Sequence, residues 1–262
     1  GVPSGQRRPS GGGMNFGDRI CSSPRPFGAD RGRVIGQLFN DLTPELREVL
    51  AGAGGSSPYL CAVMERESDW LREALSGPPE DALGDILAAA WGLSPPELGD
   101  GLRLAKRRVS VLVALADLAG VWSLAQVTGA LSRLADLAVE QGVQTLVAAE
   151  IDRGKLPGAT QADKSTAGGM AALAMGKMGA DELNFSSDID LICLFDETRF
   201  DPKDYGDARA SFIRVTQRLT ALLSDMTAQG YVVRSALRLR PYASVTPVFR
   251  SLAPAVPDDV LS

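Results

Sequence analysis

An α+β fold is predicted for this chain: a helical amino-terminal region, then a smaller unit that mixes strands with helix. Three observations predict it. Apolar residues recur broadly at helical spacing over much of residues 32–152. A stretch holding Gly, Pro, Thr, Ser and Lys at 154–169 then breaks that pattern. Beyond it, apolar runs at 170–175, 189–195 and 231–239 give the order strand, loop, strand, helix, strand.

Taken in order, residues 1–31 are rich in Gly, Pro, Ser and Arg and poor in apolar side chains, so they read as a disordered extension. Thr43-Pro44-Glu45 reads as a capped helix start, with Thr at the N-cap and Pro at the first helical position. Gly52 and Gly54-Gly55 are expected to stop that helix. Ser57-Pro58 opens the next, whose apolar residues Leu60, Val63, Met64, Trp70, Leu71 and Leu75 keep helical spacing up to Gly77-Pro78-Pro79. A short helix at 83–91 and the breaker Ser94-Pro95-Pro96 follow. Two long helices are predicted at 98–118 and 124–152. Gly206 to Gln229 reads as a helix closed by Gly230, and Pro241 is expected to end the third strand.

Composition narrows the chemistry. With 262 residues the chain holds one large domain or two small ones, and 45% apolar and 23% charged residues are those of an ordinary soluble protein. A net charge of −5 gives no electrostatic reason to expect nucleic acid or an anionic membrane as partner. The three cysteines, Cys21, Cys61 and Cys193, fit neither a disulfide framework nor metal-ligand spacing, and a reducing, cytoplasmic setting suits them. No apolar run reaches the roughly 20 residues of a membrane span. Histidine is absent, which removes Ser-His-Asp and Cys-His catalysis and histidine-ligated zinc. Any reaction must rest on carboxylates, Lys or Arg, hydroxyls, backbone amides and an added metal.

The candidate site is the pair Asp188 and Asp190. Carboxylates spaced Asp-x-Asp on a strand share a face, because side chains alternate with period two. Like charges held together need compensation, and a divalent cation with phosphate oxygens supplies it. Gly176 and Gly179 follow a predicted strand and allow close backbone approach to phosphate; Lys177 adds positive charge, and Ser186 and Ser187 add hydroxyls. An isolated Asp-x-Asp is usually a solvated loop or strand end. The combination with the glycine turn and the following apolar strand is more specific.

The stretch Gly176-Lys177-Met178-Gly179 through Glu182-Leu183-Asn184-Phe185-Ser186-Ser187-Asp188-Ile189-Asp190-Leu191-Ile192 resembles the motif of the glutamine synthetase adenylyltransferase/adenylyl-removing enzymes, members of the DNA polymerase β-like nucleotidyltransferase superfamily. Asn-Phe-Ser-Ser-Asp-Ile-Asp resembles the amino-terminal, deadenylylating half. Residues 102–108, 116–120 and 237–241 carry further likeness. The resemblance implies an incomplete polymerase β-like nucleotidyltransferase domain with a small mixed sheet over residues 101–250, preceded by a helical region at 32–100 and followed by a disordered tail at 251–262. It also implies Mg²⁺ or Mn²⁺ on Asp188 and Asp190, and phosphorolytic removal of AMP from adenylylated glutamine synthetase with release of ADP. A PII-type regulator and nucleotide (AMP, ADP or ATP) with phosphate are the further partners implied.

One departure stands out. Where the family carries a third catalytic aspartate before Leu-Arg-Leu-Arg-Pro, this chain has Ala236, within Arg234-Ser235-Ala236-Leu237-Arg238. Positions 236, 238 and 240 share a strand face, so Arg238 and Arg240, candidate phosphate ligands, lie beside a methyl group. Weak or absent activity is therefore expected. Three readings stay open: a deadenylylating enzyme, a non-catalytic module that keeps the fold and binds a regulator or glutamine synthetase, and a nucleotidyltransferase with another acceptor. Lys106-Arg107-Arg108 reads more readily as a solvated helix face than as a binding site.

Overall fold

A computed structural model describes residues 13–242 apart from 186, 228 and 229. The fold is α+β. The chain divides into two compact units, Gly1–Asp85 with Val111–Ser123, and Ile86–Ser110 with Leu124–Ser262. Two helices, α5 (Pro79–Ala90) and α6 (Pro95–Leu118), each contribute to both units.

The first unit is helical: α1 (Ala29–Leu38), α2 (Pro44–Ser56), α3 (Pro58–Arg66) and α4 (Ser68–Leu75), with the adjoining parts of α5 and α6. Its core includes Phe16, Ile35, Phe39, Leu50, Met64, Leu71 and Leu112. Two starts were legible. Pro44 is the first residue of α2, although the Thr43 side chain makes no cap bond; the Ser57 hydroxyl caps α3 by accepting from the Leu60 N–H at 3.2 Å. The expected glycine stop is corrected: α2 runs through Gly52, Gly54 and Gly55 to Ser56. These glycines serve close packing. A Cβ on Gly52 would lie 1.8 Å from the Pro24 carbonyl oxygen, and one on Gly55 would lie 2.4 Å from Pro26 Cβ.

That packing also corrects the expected disorder for residues 13–31; residues 1–12 lie outside the described residues. Phe16 is fully buried and its N–H donates to the Gly77 carbonyl at 3.0 Å. The Cys21 and Ser22 N–H groups donate to the Ala119 carbonyl. Arg19 pairs with Glu80 at 2.8 Å, and the Trp122 indole N–H donates to the same carboxylate at 2.7 Å. A segment poor in apolar residues is ordered when one aromatic anchor is buried and its backbone groups find partners.

The second unit carries α7 (Leu124–Asp152), a 3₁₀ stretch at Gln161–Gly169, β1 (Met170–Met175), the short turn α8 (Gly176–Gly179), β2 (Ile189–Asp196), α9 (Tyr205–Ser224) and β3 (Ser235–Tyr242). Among the described residues the sheet has the order β1-β2-β3; β1 pairs antiparallel with β2, and β2 pairs parallel with β3. The parallel pair needs a crossover, which α9 provides. One sheet face is dry: Ile189, Leu191, Cys193 and Phe195 are buried, and Phe195 stacks on Phe212 of α9 with ring centroids 4.8 Å apart. Burial pushes the Cys193 thiol up to about 11, which keeps it inert.

Between α7 and α9 the buried carboxylate of Glu150 is met by Arg153 at 3.4 Å, Arg214 at 2.7 Å and Arg218 at 3.2 Å. The third strand starts four residues later than its apolar run suggests. The Val232 and Val233 N–H groups donate to the Leu223 carbonyl and satisfy the end of α9, so pairing with β2 begins at Ser235. Pro241 does not end the strand but faces Phe195 in register. A proline is tolerated on an edge strand. No helix among the described residues is long and apolar enough to cross a membrane.

Candidate active site

The site is built at the junction of β1 and β2. Gly176 leaves β1 with φ of +58°, the left-handed region that glycine enters without penalty. Gly179 is required for another reason: a Cβ there would lie 2.7 Å from the Ala174 carbonyl oxygen. The Glu182 N–H donates to the Lys177 carbonyl at 2.8 Å, and buried Met178 anchors the turn, leaving Lys177 exposed. The register pair Met175↔Asp190 sets this glycine turn at the same end of the sheet as the carboxylates.

A second turn aims Asp188. The Ser187 N–H donates to the Asn184 carbonyl at 3.1 Å; the Ser187 hydroxyl donates to Asn184 Oδ1 at 2.9 Å and accepts from the Asn184 N–H at 3.1 Å. Ser187 therefore shapes the loop, and contact with a phosphate would draw its hydroxyl away from Asn184. Ser186 lies outside the described residues. Asp188 precedes the strand and Asp190 is its second residue. Both are exposed and flank buried Ile189, whose N–H donates to the Arg234 carbonyl at 2.9 Å.

Across the parallel pair, Asp190 faces Ala236, Ile192 faces Arg238, and Leu194 faces Arg240. One row thus runs Met175, Asp190, Ala236 across all three strands. A strand advances about 3.3 Å per residue, so Arg238 sits about 7 Å and Arg240 about 13 Å along from that row. The register thus sets Arg238 nearer the carboxylates than Arg240, which is not brought to them.

Beside Asp188 lies a partly open pocket of about 190 Å³. It is formed by α6 (Lys106, Ser110), α7 (Leu131, Leu134, Ala135), Leu183, Asn184, Phe185, Ser187 and Asp188, and residues 231–234. Lys106 Nζ stands 4.5 Å and Arg234 Cζ 5.8 Å from the Tyr231 ring centroid, so two cations address one aromatic ring. Sequence reasoning missed this group. The available signal was that Lys106 sits between Ala105 and Val109, both buried, so the basic run is half-buried and not a solvated face. Burial lowers the Lys106 ammonium below its ordinary value. On α7, burial and then the charges of Asp181 and Glu140 push Asp136 up to about 6.

Among the described residues no group of three or more His, Cys, Asp or Glu could hold a metal. Two exposed carboxylates remain. Mg²⁺ commonly binds through one or two carboxylates plus waters and substrate phosphates. The donor set therefore fits a cation that shares phosphate oxygens, not a protein cage.

A family profile described as glutamate-ammonia ligase adenylyltransferase matches residues 45–256. The chain belongs to this family. Among curated relatives it is similar to the bifunctional glutamine synthetase adenylyltransferase/adenylyl-removing enzymes of Xanthobacter autotrophicus (37% identical over 232 residues, 87% of this chain and 23% of the relative) and Caulobacter vibrioides (37% over 214 residues, 80% and 21%). A Bradyrhizobium relative of the same description is 38% identical over 263 residues, covering 93% of this chain and 27% of its own length. The chain thus spans about a quarter of the adenylyltransferases it matches. The glycine turn, both carboxylates, Ala236 and the pocket all fall inside the matched residues.

Proposed function

We propose that this chain forms part of a unit that removes AMP from adenylylated glutamine synthetase by phosphorolysis, and that Ala236 holds its activity low. The observation that carries the reading is the row Met175, Asp190, Ala236. It supports a glycine turn and a carboxylate pair acting on one phosphorus, and it sets a methyl group where the resemblance implies a third carboxylate.

The resemblance implies that AMP is carried on a tyrosine of glutamine synthetase; in the reaction an oxygen of inorganic phosphate bonds to the AMP phosphorus while the bond to that tyrosine oxygen breaks. ADP leaves, and the electron pair of the broken bond stays on the phenolic oxygen, which takes up a proton. The Gly176–Gly179 turn lets its backbone approach phosphate oxygens. Lys177 and Arg238 add positive charge around them. Asp188 and Asp190 would hold Mg²⁺ or Mn²⁺, which when bound offsets phosphate charge. Phosphate is already an anion, so a third carboxylate is not needed as a base; its loss removes a metal ligand. A PII-type regulator and a cytoplasmic setting belong to the same reading.

The test is phosphate-dependent ADP release from adenylylated glutamine synthetase. The chain is expected to be slow and Ala236→Asp at least tenfold faster. Equal rates for the two proteins contradict the role given to Ala236. A second reading, a binding module that keeps the fold, is favoured by Ala236 alone and predicts glutamine synthetase binding with no ADP from either protein.

A further inference from the structure

A second charged cluster lies in the same unit, away from the carboxylate pair. From Ala135, which lines the pocket, to Glu150 is about 22 Å along α7 at 1.5 Å per residue. There the buried Glu150 carboxylate holds three guanidinium groups. Arg214 donates to its Oε2 through Nε at 3.0 Å and Nη2 at 2.7 Å, and these two bonds alone tie α9 to α7. Arg153 and Arg218 each add one longer contact to Oε1, at 3.4 Å and 3.2 Å. One carboxylate cannot balance three cations, and the side chains of Arg153, Arg214 and Arg218 stay 52%, 39% and 42% exposed. Lys155, also exposed, joins them: its carbonyl accepts from the Ser211 hydroxyl, which itself accepts from Arg214 at 2.6 Å. Of the neighbouring carboxylates, Asp152 is already paired with Lys164, and Asp207 is exposed one turn before Ser211. Arg153, Lys155, Arg214 and Arg218 thus outnumber Glu150 and Asp207, on a chain whose net charge is −5.

We infer that this face of α7 and α9 docks a carboxylate-rich segment of a partner protein. Charge decides the occupant. Guanidinium groups held around one carboxylate repel each other, and an incoming anion relieves that repulsion. The planar fork of each guanidinium matches the paired oxygens of a carboxylate. Glu150 fixes the three groups in advance, so little ordering is left to oppose docking. Arginine is enriched at protein interfaces and among the residues that carry most of their binding energy. A nucleic-acid strand is a long polyanion, which Asp207 and the net negative charge of the chain oppose. A purely structural role needs only the two Arg214 bonds and leaves Arg153 and Arg218 unexplained. The inference is independent of the reaction proposed at Asp188 and Asp190.

The test is fluorescence anisotropy with the full chain at low ionic strength, where surface charge is least screened. The probe is a fluorescein-labelled peptide of alternating Glu and Gly, and the control peptide replaces each Glu with Gln. The Glu peptide is expected to bind at least tenfold tighter than the control. Arg153→Gln combined with Arg218→Gln keeps Arg214 on Glu150 and should weaken the Glu peptide at least tenfold. Arg47→Gln, at an exposed position of α2 in the first unit, should change its affinity less than twofold. If the double variant lowers the melting temperature, Lys155→Glu, at an exposed position, carries the test with a several-fold loss expected. Any of four results overturns the proposal. The two peptides bind equally; Arg47→Gln costs as much as the double variant; an oligothymidine of equal length binds more tightly than the Glu peptide; or the Glu peptide binds the double variant and Lys155→Glu as tightly as the unsubstituted chain. The last result would leave the cluster as a tie between α7 and α9 alone.

Discussion

The two faces of β2 differ sharply in burial. One face holds Ile189, Leu191, Cys193 and Phe195, all buried; the other holds Asp190, Ile192, Leu194 and Asp196, exposed or half-exposed. A single eight-residue strand thus separates stability from candidate chemistry by alternation alone. On the dry face a change should be felt in the fold. On the open face it should be felt in ligand binding with the fold unmoved.

The largest expected effect breaks the dry face. Phe195→Ala removes the stack on Phe212 and leaves a cavity, so stability should fall by about 4 kcal/mol in denaturant unfolding. A loss under about 1 kcal/mol would show that this face is not the core. Next is Glu150→Gln, which takes the charge from three half-exposed arginines that can turn to water; about 2 kcal/mol should be lost.

A smaller change has the opposite sign. Asp136 is raised to about 6 in the folded chain and returns to the ordinary carboxylate range when unfolded. The folded state therefore holds the proton more tightly, and the stability this confers is present below about pH 4 and lost as pH rises through about 6. Asp136 is partly exposed, so the effect is discounted to about 1 kcal/mol. Asp136→Asn should be more stable than the natural chain by that amount at pH 7 and should flatten the fall between pH 4 and 7. An unchanged pH profile would remove Asp136 from the account. The smallest effect on the fold belongs to the open face. Asp190→Asn should move stability by less than about 0.5 kcal/mol yet abolish Mn²⁺ binding. Retained Mn²⁺ binding would separate the metal from this carboxylate.

Much of the open face was legible because its signals are local. Asp188, Asp190 and the Gly176-Lys177-Met178-Gly179 turn lie within fifteen residues, and period two set Ala236 with Arg238 and Arg240 on one face; the register then set Ala236 opposite Asp190. What was not legible depends on distant partners. Gly52 and Gly55 look like helix stops until Pro24 and Pro26 are seen against them. Val232 and Val233 look like strand until their N–H groups are seen to satisfy the end of α9. The pocket at Lys106 draws on segments far apart in sequence, and no spacing rule joins them.

Ala236 remains the point on which the account turns. Mn²⁺ titration followed by electron paramagnetic resonance, on the natural chain and on Ala236→Asp, tests it most directly. The account predicts weak binding through Asp188 and Asp190 and at least tenfold tighter binding once a carboxylate stands opposite Asp190. Equal affinity in the two proteins would contradict it.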